Sequence, residues 1–223
     1  MTRLLTVAHG TRHLPGNDVA RRVTELAGLR LGLPAMCSYV ELAAPLFADA
    51  VAAPRPGTTV VVPLLLSTGY HLRHDLPAAV EAAASPVLLG PALGPHRLLA
   101  EAQAERLRST GARPGQPVVM VAAGSRDPLA TLDLTAAAEL LAAVWGGPVE
   151  LATLAGPGRR PGEVVRRDSA VSPYLLAEGH FADRTRAESA GAALVAAVLG
   201  VHERVVDLVV ARAEVLLGTP SAV

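Results

Sequence analysis

Apolar positions along this chain come in short runs, each stopped by a cluster of polar and turn-forming residues. Leu4–Ala8 is one such run and ends abruptly in His9-Gly10-Thr11-Arg12-His13. Ala35–Leu42 is a second, carrying Glu41 at its end. Val60–Leu66 is the strongest, VVVPLLL, and breaks into Ser67-Thr68-Gly69-Tyr70-His71-Leu72-Arg73-His74-Asp75. Val87–Leu89 is a short fourth run. Runs of this length bounded by turn residues predict strands buried on both faces. Between them the spacing predicts helices. Val19, Val23, Leu26 and Leu29 mark one from Asp18 to about Leu31, with Asn17 as its cap. Others are predicted at Pro45–Ala53, Pro77–Ala84 and Pro95–Ser109. Strand and helix alternating at this rhythm predict a parallel sheet with right-handed crossovers.

The Gly/Pro-rich segment Gly111–Gln116 then separates two halves, and the pattern restarts. Strands are predicted at Pro117–Ala122, Val149–Leu154 and Ala170–Leu176. Helices are predicted at Asp133–Val144, near Arg184–Leu199 and near Arg204–Leu217. The expected fold is therefore α/β and bilobal. Residues 1–112 and 113–223 would form two similar βα lobes, each with a parallel sheet flanked by helices.

The halves align by motif. His9-Gly10-Thr11-Arg12 matches Ala123-Gly124-Ser125-Arg126, and Pro63–His71 matches Pro173–Phe181. Glu41–Pro45 matches Thr153–Pro157. Turn residues and apolar strands persist between the halves, but His9, Glu41 and His71 become Ala123, Thr153 and Phe181. The second half acts as a control within the sequence. The fold alone does not demand those three side chains.

Composition narrows the function. Hydrophobic residues are 51% of the chain, enough for a full core, and aromatics only 3%. Twenty basic residues balance twenty acidic ones, which argues against a nucleic-acid partner. The single cysteine, Cys37, excludes a disulfide framework or a Cys-rich zinc site and reads as a small core residue. No stretch reads as a signal peptide or a membrane span, so a soluble cytoplasmic protein is expected.

His9, Glu41 and His71 all fall at or just beyond the carboxyl ends of strands in one half, on one sheet edge. Two imidazoles and a carboxylate suit a borderline divalent metal, and equally suit proton transfer. A lone loop histidine is ordinarily solvated or a helix cap, the reading that fits His13 and His96. Glu41 could merely pair with an arginine. The Gly10-Thr11 turn could receive an anion through backbone N–H groups. Arg12 and Arg73 could pair with carboxylates.

Ala8–Arg12 (AHGTR), Glu41–Pro45 (ELAAP), Pro63–Pro77 (PLLLSTGYHLRHDLP) and Leu93–His96 (LGPH) occur in this order on a consistent βα pattern. In these motifs the first half resembles the sirohydrochlorin chelatases, class II tetrapyrrole chelatases of siroheme and cobalamin synthesis. The second half resembles the degenerate repeat of fused members. The resemblance implies insertion of Fe²⁺ or Co²⁺, with Ni²⁺ a further option, into sirohydrochlorin without an organic cofactor. It implies His9 and His71 as metal-binding and catalytic histidines, with Glu41 assisting. Gly10, Thr11, Arg12, Ser67, Thr68, Gly69, Tyr70, Arg73 and His74 would border the macrocycle, His74 behind the ligands. With both lobes in one chain a monomer suffices, though a dimer is not forbidden. A metal carrier or tetrapyrrole-binding module would use the same residues. A histidine phosphatase would need an arginine where Ala8 stands.

Overall fold

Each strong apolar run becomes a strand covered on both faces. The computed structural model describes residues 2–218. Strands β1 (Arg3–Ala8), β2 (Ala35–Tyr39), β3 (Thr59–Pro63) and β4 (Val87–Leu89) form one sheet in the order β2-β1-β3-β4. Strands β5 (Val118–Ala122), β6 (Val149–Thr153), β7 (Ala170–Tyr174) and β8 (Leu194–Val195) form a second in the order β6-β5-β7-β8. All neighbouring strands in both sheets are parallel. Every residue of β1, β3, β5 and β7 is buried, which explains their mainly apolar character.

The helices are α1 (Leu14–Leu31), α2 (Phe47–Ala52), α3 (Leu76–Glu81), α4 (Arg97–Ser109), α5 (Pro128–Trp145), α6 (Pro161–Val164), α7 (His180–Glu188) and α8 (Glu203–Leu217), with a π-helical turn at His71–Asp75. The repeat holds at their ends. From Leu14 to Pro128, and from Gly32 to Gly146, the step is 114 residues. Both glycines close their helices with φ near +64° and +74°, the left-handed region that favours glycine.

The two lobes share one core. Side chains of β1, β3, β5 and β7 join those of α1, α4, α5 and α8 in a single apolar cluster. Each half's last helix crosses over. Helix α4 packs against β7 and α5, whereas α8 packs against β3 and α1. A buried hydrogen bond from Gln103 Nε2 to Ser172 Oγ (2.9 Å) ties α4 to the second sheet. Cys37 is buried, and desolvation pushes its thiol up, as a core residue requires.

Several expected boundaries shift for identifiable reasons. Helix α1 begins at Leu14 with His13 at its cap, so Asn17 lies inside it. Asn17 is buried and bridges Thr11 instead, accepting from Thr11 N (3.1 Å) and donating to Thr11 O (2.7 Å). The expected strand Ala35–Leu42 stops at Tyr39, because Leu42 turns to φ +64°. The expected helix over Arg184–Leu199 is α7 followed by β8, the edge strand that completes the second sheet. Helix α5 extends to Pro128 because Asp127 caps it, its Oδ1 accepting from Leu129 N (3.0 Å). By length and composition alone α5 could cross a membrane, contrary to the sequence expectation. Here Leu134, Ala137, Ala138, Leu141 and Trp145 turn one face of it into the shared core.

Two histidines recur at matching repeat positions, His96 and His202, and both cap helices. The ring Nδ1 of each accepts a backbone N–H, from Leu98 (3.2 Å) and Arg204 (3.2 Å) respectively. A ring nitrogen can accept only while it carries no proton. Burial lowers the pKa of both. Arg212 adds to this at His96, and Glu105 partly opposes it at His202. A folded-state pKa below the ordinary value of about 6.5 means that their contribution is complete above that pH. It is lost as pH falls below about 6.5 toward the depressed value. The His96→Asn/His202→Asn protein keeps pH-insensitive caps. Its melting temperature should therefore fall less between pH 7.5 and pH 5.5 than that of the wild type, by about 2–4 °C. Thermal unfolding at the two pH values measures this, and equal slopes would assign the acid sensitivity to other groups.

Candidate metal centre

The register of β1 with β2 brings Ala8 opposite Tyr39. The ladder continues past the strand end, with Val40 N donating to Ala8 O (2.9 Å) and Glu41 N to His9 O (3.1 Å). This close approach needs Gly10. Its φ is +94°, and a Cβ there would lie 1.8 Å from the Glu41 carbonyl oxygen. His9 Nε2 is thereby held 3.5 Å from Glu41 Oε1. Strand β3 runs beside β1, and the loop after it leads into the π-helical turn that starts at His71. The His71 ring meets the His9 ring edge-on, centroids 5.1 Å apart. One ligand atom each from His9, Glu41 and His71 all lie within 4.8 Å of one another.

The protons can be placed from the partners. His71 Nδ1 is 2.6 Å from Asp75 Oδ2. An ionised carboxylate only accepts, so Nδ1 carries the hydrogen and Nε2 keeps its lone pair for a metal. His9 Nδ1 is 3.2 Å from Gly10 O, another pure acceptor, so that hydrogen also sits on Nδ1. His9 Nε2 then turns a lone pair toward the Glu41 carboxylate. Two acceptors at 3.5 Å are reconciled by a cation between them, either a proton or a metal ion. Metal–nitrogen bonds of about 2.1 Å put ligand atoms roughly 3–4 Å apart, so small rotations close the set. Three protein ligands leave further coordination positions open.

The set faces a cleft between the lobes. Two hollows of about 380 and 390 Å³ flank His9, and Leu64, Ala123, Leu175 and Leu176 border both. The first lobe lines them with the loops after β1 and β3. The second lobe uses Ala123–Ser125 and Leu175–Phe181. Leu42, Tyr70 and Phe181 leave apolar surface exposed near the histidines. The buried phenols at the strand ends are not proton carriers at neutral pH. Burial pushes Tyr39 up to about 12, and Tyr174 well above the usual phenol range.

The other sequence candidates divide into groups. Ser67, Thr68, Gly69 and Tyr70 line the smaller hollow, and Gly10 and Thr11 the larger. The Thr11 N–H is already engaged by Asn17, which weakens the anion cradle expected there. Arg12 is exposed and makes no hydrogen bond or ion pair among the described residues, as is its repeat counterpart Arg126. Arg73 is instead paired with Asp127, Nη1 to Oδ2 3.2 Å. His74 lies against the Tyr70 ring, centroids 4.6 Å apart, rather than behind His71. The residue behind His71 is Asp75, which the sequence reading left without a role. Its signal was the four-residue spacing from His71, visible only once that stretch is recognised as helical and not as loop.

At Glu41 the backbone departs from the motif alignment of the two halves. Gly124 has φ +83°, and a Cβ on it would lie 2.0 Å from the Ala155 carbonyl oxygen. Ala155 N donates to Ala123 O, as Glu41 N does to His9 O. The structural counterpart of Glu41 is therefore Ala155, not Thr153, which instead matches Tyr39 at the strand end. Arg73 N donates to Gly69 O and Asp183 N to Gly179 O, so His71 does correspond to Phe181. By that step Asp75 corresponds to Thr185. His9, Glu41, His71 and Asp75 are thus replaced in the second half by Ala123, Ala155, Phe181 and Thr185.

The CbiX family model matches residues 3–110. The sirohydrochlorin ferrochelatase of Priestia megaterium is 28% identical over 98% of this chain and 92% of its own length. SirB from Bacillus subtilis with Fe³⁺ superposes with a TM-score of 0.78 at 24% identity, covering 96% of this chain and 95% of that one. The sirohydrochlorin chelatase SirB from Bacillus subtilis subspecies spizizenii, in complex with cobalt, gives a TM-score of 0.76 at 23% identity over 98% and 96%. Residues 3–110 thus match the CbiX family, and the chain as a whole is similar to sirohydrochlorin chelatases in its two parallel sheets and in the motifs of its first half.

Proposed function

We propose that this protein inserts Fe²⁺ or Co²⁺ into sirohydrochlorin, with the metal as a substrate and no organic cofactor. The observation that carries this reading is the lone pair of His9 Nε2 facing the Glu41 carboxylate, with His71 Nε2 free beside it. Residues 1–112 act as the chelating lobe and 113–223 as the lobe that completes the cleft, so one chain forms the site as a monomer in the cytoplasm.

Insertion makes metal–nitrogen bonds to the macrocycle, breaks bonds to water or protein ligands, and releases two pyrrole protons. His9, Glu41 and His71 hold the incoming ion loosely enough to hand it on, since their side chains are one-third to one-half exposed. A neutral imidazole that has released the metal can take up a displaced proton. The Asp75 carboxylate fixes the His71 tautomer and stabilises the ring when it is charged. Leu42, Tyr70 and Phe181 offer apolar contact to the ring system. The unpaired guanidinium of Arg12 is available to a macrocycle carboxylate.

His9→Ala and His71→Ala should each reduce anaerobic insertion at least about 100-fold while leaving the far-ultraviolet circular dichroism unchanged. A folded His71→Ala protein with wild-type rates would overturn the assignment. Metal binding without turnover in the wild type would instead favour a carrier. Asp75→Asn should lower the rate about 10–100-fold, because the amide can no longer balance a charged imidazole. Its effect should fall on kcat more than on the KM for sirohydrochlorin. A change confined to KM would show that Asp75 contacts substrate rather than His71.

A further inference from the structure

The second half lacks the ligands, yet it carries polar residues that the first half does not, and three of them reach into the loop that bears His71. Asp133 Oδ2 accepts from Thr68 N at 2.6 Å. The Tyr174 hydroxyl donates to Leu66 O at 3.0 Å. Asp127 Oδ2 accepts from Arg73 Nη1 at 3.2 Å. The repeat alignment gives the first-half counterparts as Val19 for Asp133, Leu64 for Tyr174 and His13 for Asp127. The two halves have therefore diverged in opposite senses. One holds the ligands and the other holds the groups that grip the ligand loop.

The grip is specific. Tyr174 is 2% exposed, and its hydroxyl sits where a Cβ on Gly94 would come within 2.1 Å, so the space is available only because residue 94 is glycine. The bonds to Leu66 O and Thr68 N engage two backbone groups on either side of Ser67, at the exit from the β3 strand end. Those groups would otherwise be left to solvent in the cleft. The charged acceptor at Thr68 makes a charge-assisted bond, stronger than a neutral pair. The third contact lies on the π-helical turn itself, two residues beyond His71.

We propose that Asp133 and Tyr174, with Asp127, are positioning residues. The degenerate repeat clamps the Leu66–Arg73 segment so that His71 Nε2 stays within reach of His9 and Glu41. This rests on the reading of His9, Glu41 and His71 as the metal-holding set. Positioning groups of this kind typically alter metal affinity or activity about 10–100-fold.

The test compares wild type, Tyr174→Phe, Asp133→Ala, Asp133→Asn and His71→Ala by calorimetric titration with Co²⁺ alone, followed by steady-state insertion. Tyr174→Phe and Asp133→Ala should each weaken Co²⁺ binding about tenfold and lower kcat by a similar factor, with KM for sirohydrochlorin changed less than about twofold. Asp133→Asn retains a carbonyl acceptor for Thr68 N and should recover a large part of what Asp133→Ala loses. The Phe variant keeps the ring and the fold, so a merely structural role would move its melting temperature and leave the Co²⁺ isotherm alone. Unchanged Co²⁺ affinity and kcat in Tyr174→Phe and Asp133→Ala would overturn the clamp while His71→Ala still loses binding. Retained Co²⁺ affinity in His71→Ala would overturn the metal-site reading itself, and the clamp with it.

Discussion

Two backbone hydrogen bonds beyond the end of β2, from Val40 to Ala8 and from Glu41 to His9, hold the first lobe's chemistry together. They draw the chain after β2 over the turn after β1, and only a glycine at position 10 permits that approach. Once they form, His9 and Glu41 have no choice but to be neighbours, and the parallel pairing of β1 with β3 delivers His71 beside them. The second lobe repeats the device, with Gly124 beneath Ala155 and the same two backbone bonds. It places alanines where the first lobe places a histidine and a glutamate. The scaffold is common to both halves, and the candidate metal-holding set belongs to one.

That separation also sorts the histidines. His96 and His202 occur in both halves at equivalent positions and cap equivalent helices, a task the fold sets in each lobe. His9 and His71 have no counterpart histidine and face a carboxylate and a cleft instead. His74 has none either, but its ring rests on Tyr70 and it is outside the set formed by His9, Glu41 and His71. Failure to repeat is thus necessary but not sufficient. The deciding feature is what each ring nitrogen faces.

Much of this was legible in the sequence because strand burial and turn chemistry leave strong local marks. The short apolar runs, the Gly10 turn and the lost polar residues of the second half pointed to the parallel sheets and to three side chains that the fold brings together. What escaped detection depended on geometry that spacing alone does not carry. Asp75 was visible as a residue but not as a partner, since its bond to His71 exists only in a helical turn. Glu41 was matched to Thr153 because the proline after each guided the alignment. The backbone bonds that define the true counterpart, Ala155, leave no trace in composition. The exchange of α4 and α8 between the sheets, and the reach of Asp133 and Tyr174 to the His71 loop, are long-range contacts with no local signal.

The central claim is that three side chains of one repeat, set in a cleft completed by the other, carry a metal into a macrocycle repeatedly. The most direct measurement is anaerobic absorbance of sirohydrochlorin supplied in large excess over protein, with Fe²⁺ and Co²⁺ in parallel. The account predicts loss of the metal-free spectrum far beyond one macrocycle per chain, at a rate well above that of the metal and macrocycle alone. A spectral change that stops at one macrocycle per chain, or that proceeds no faster than the uncatalysed reaction, would contradict it.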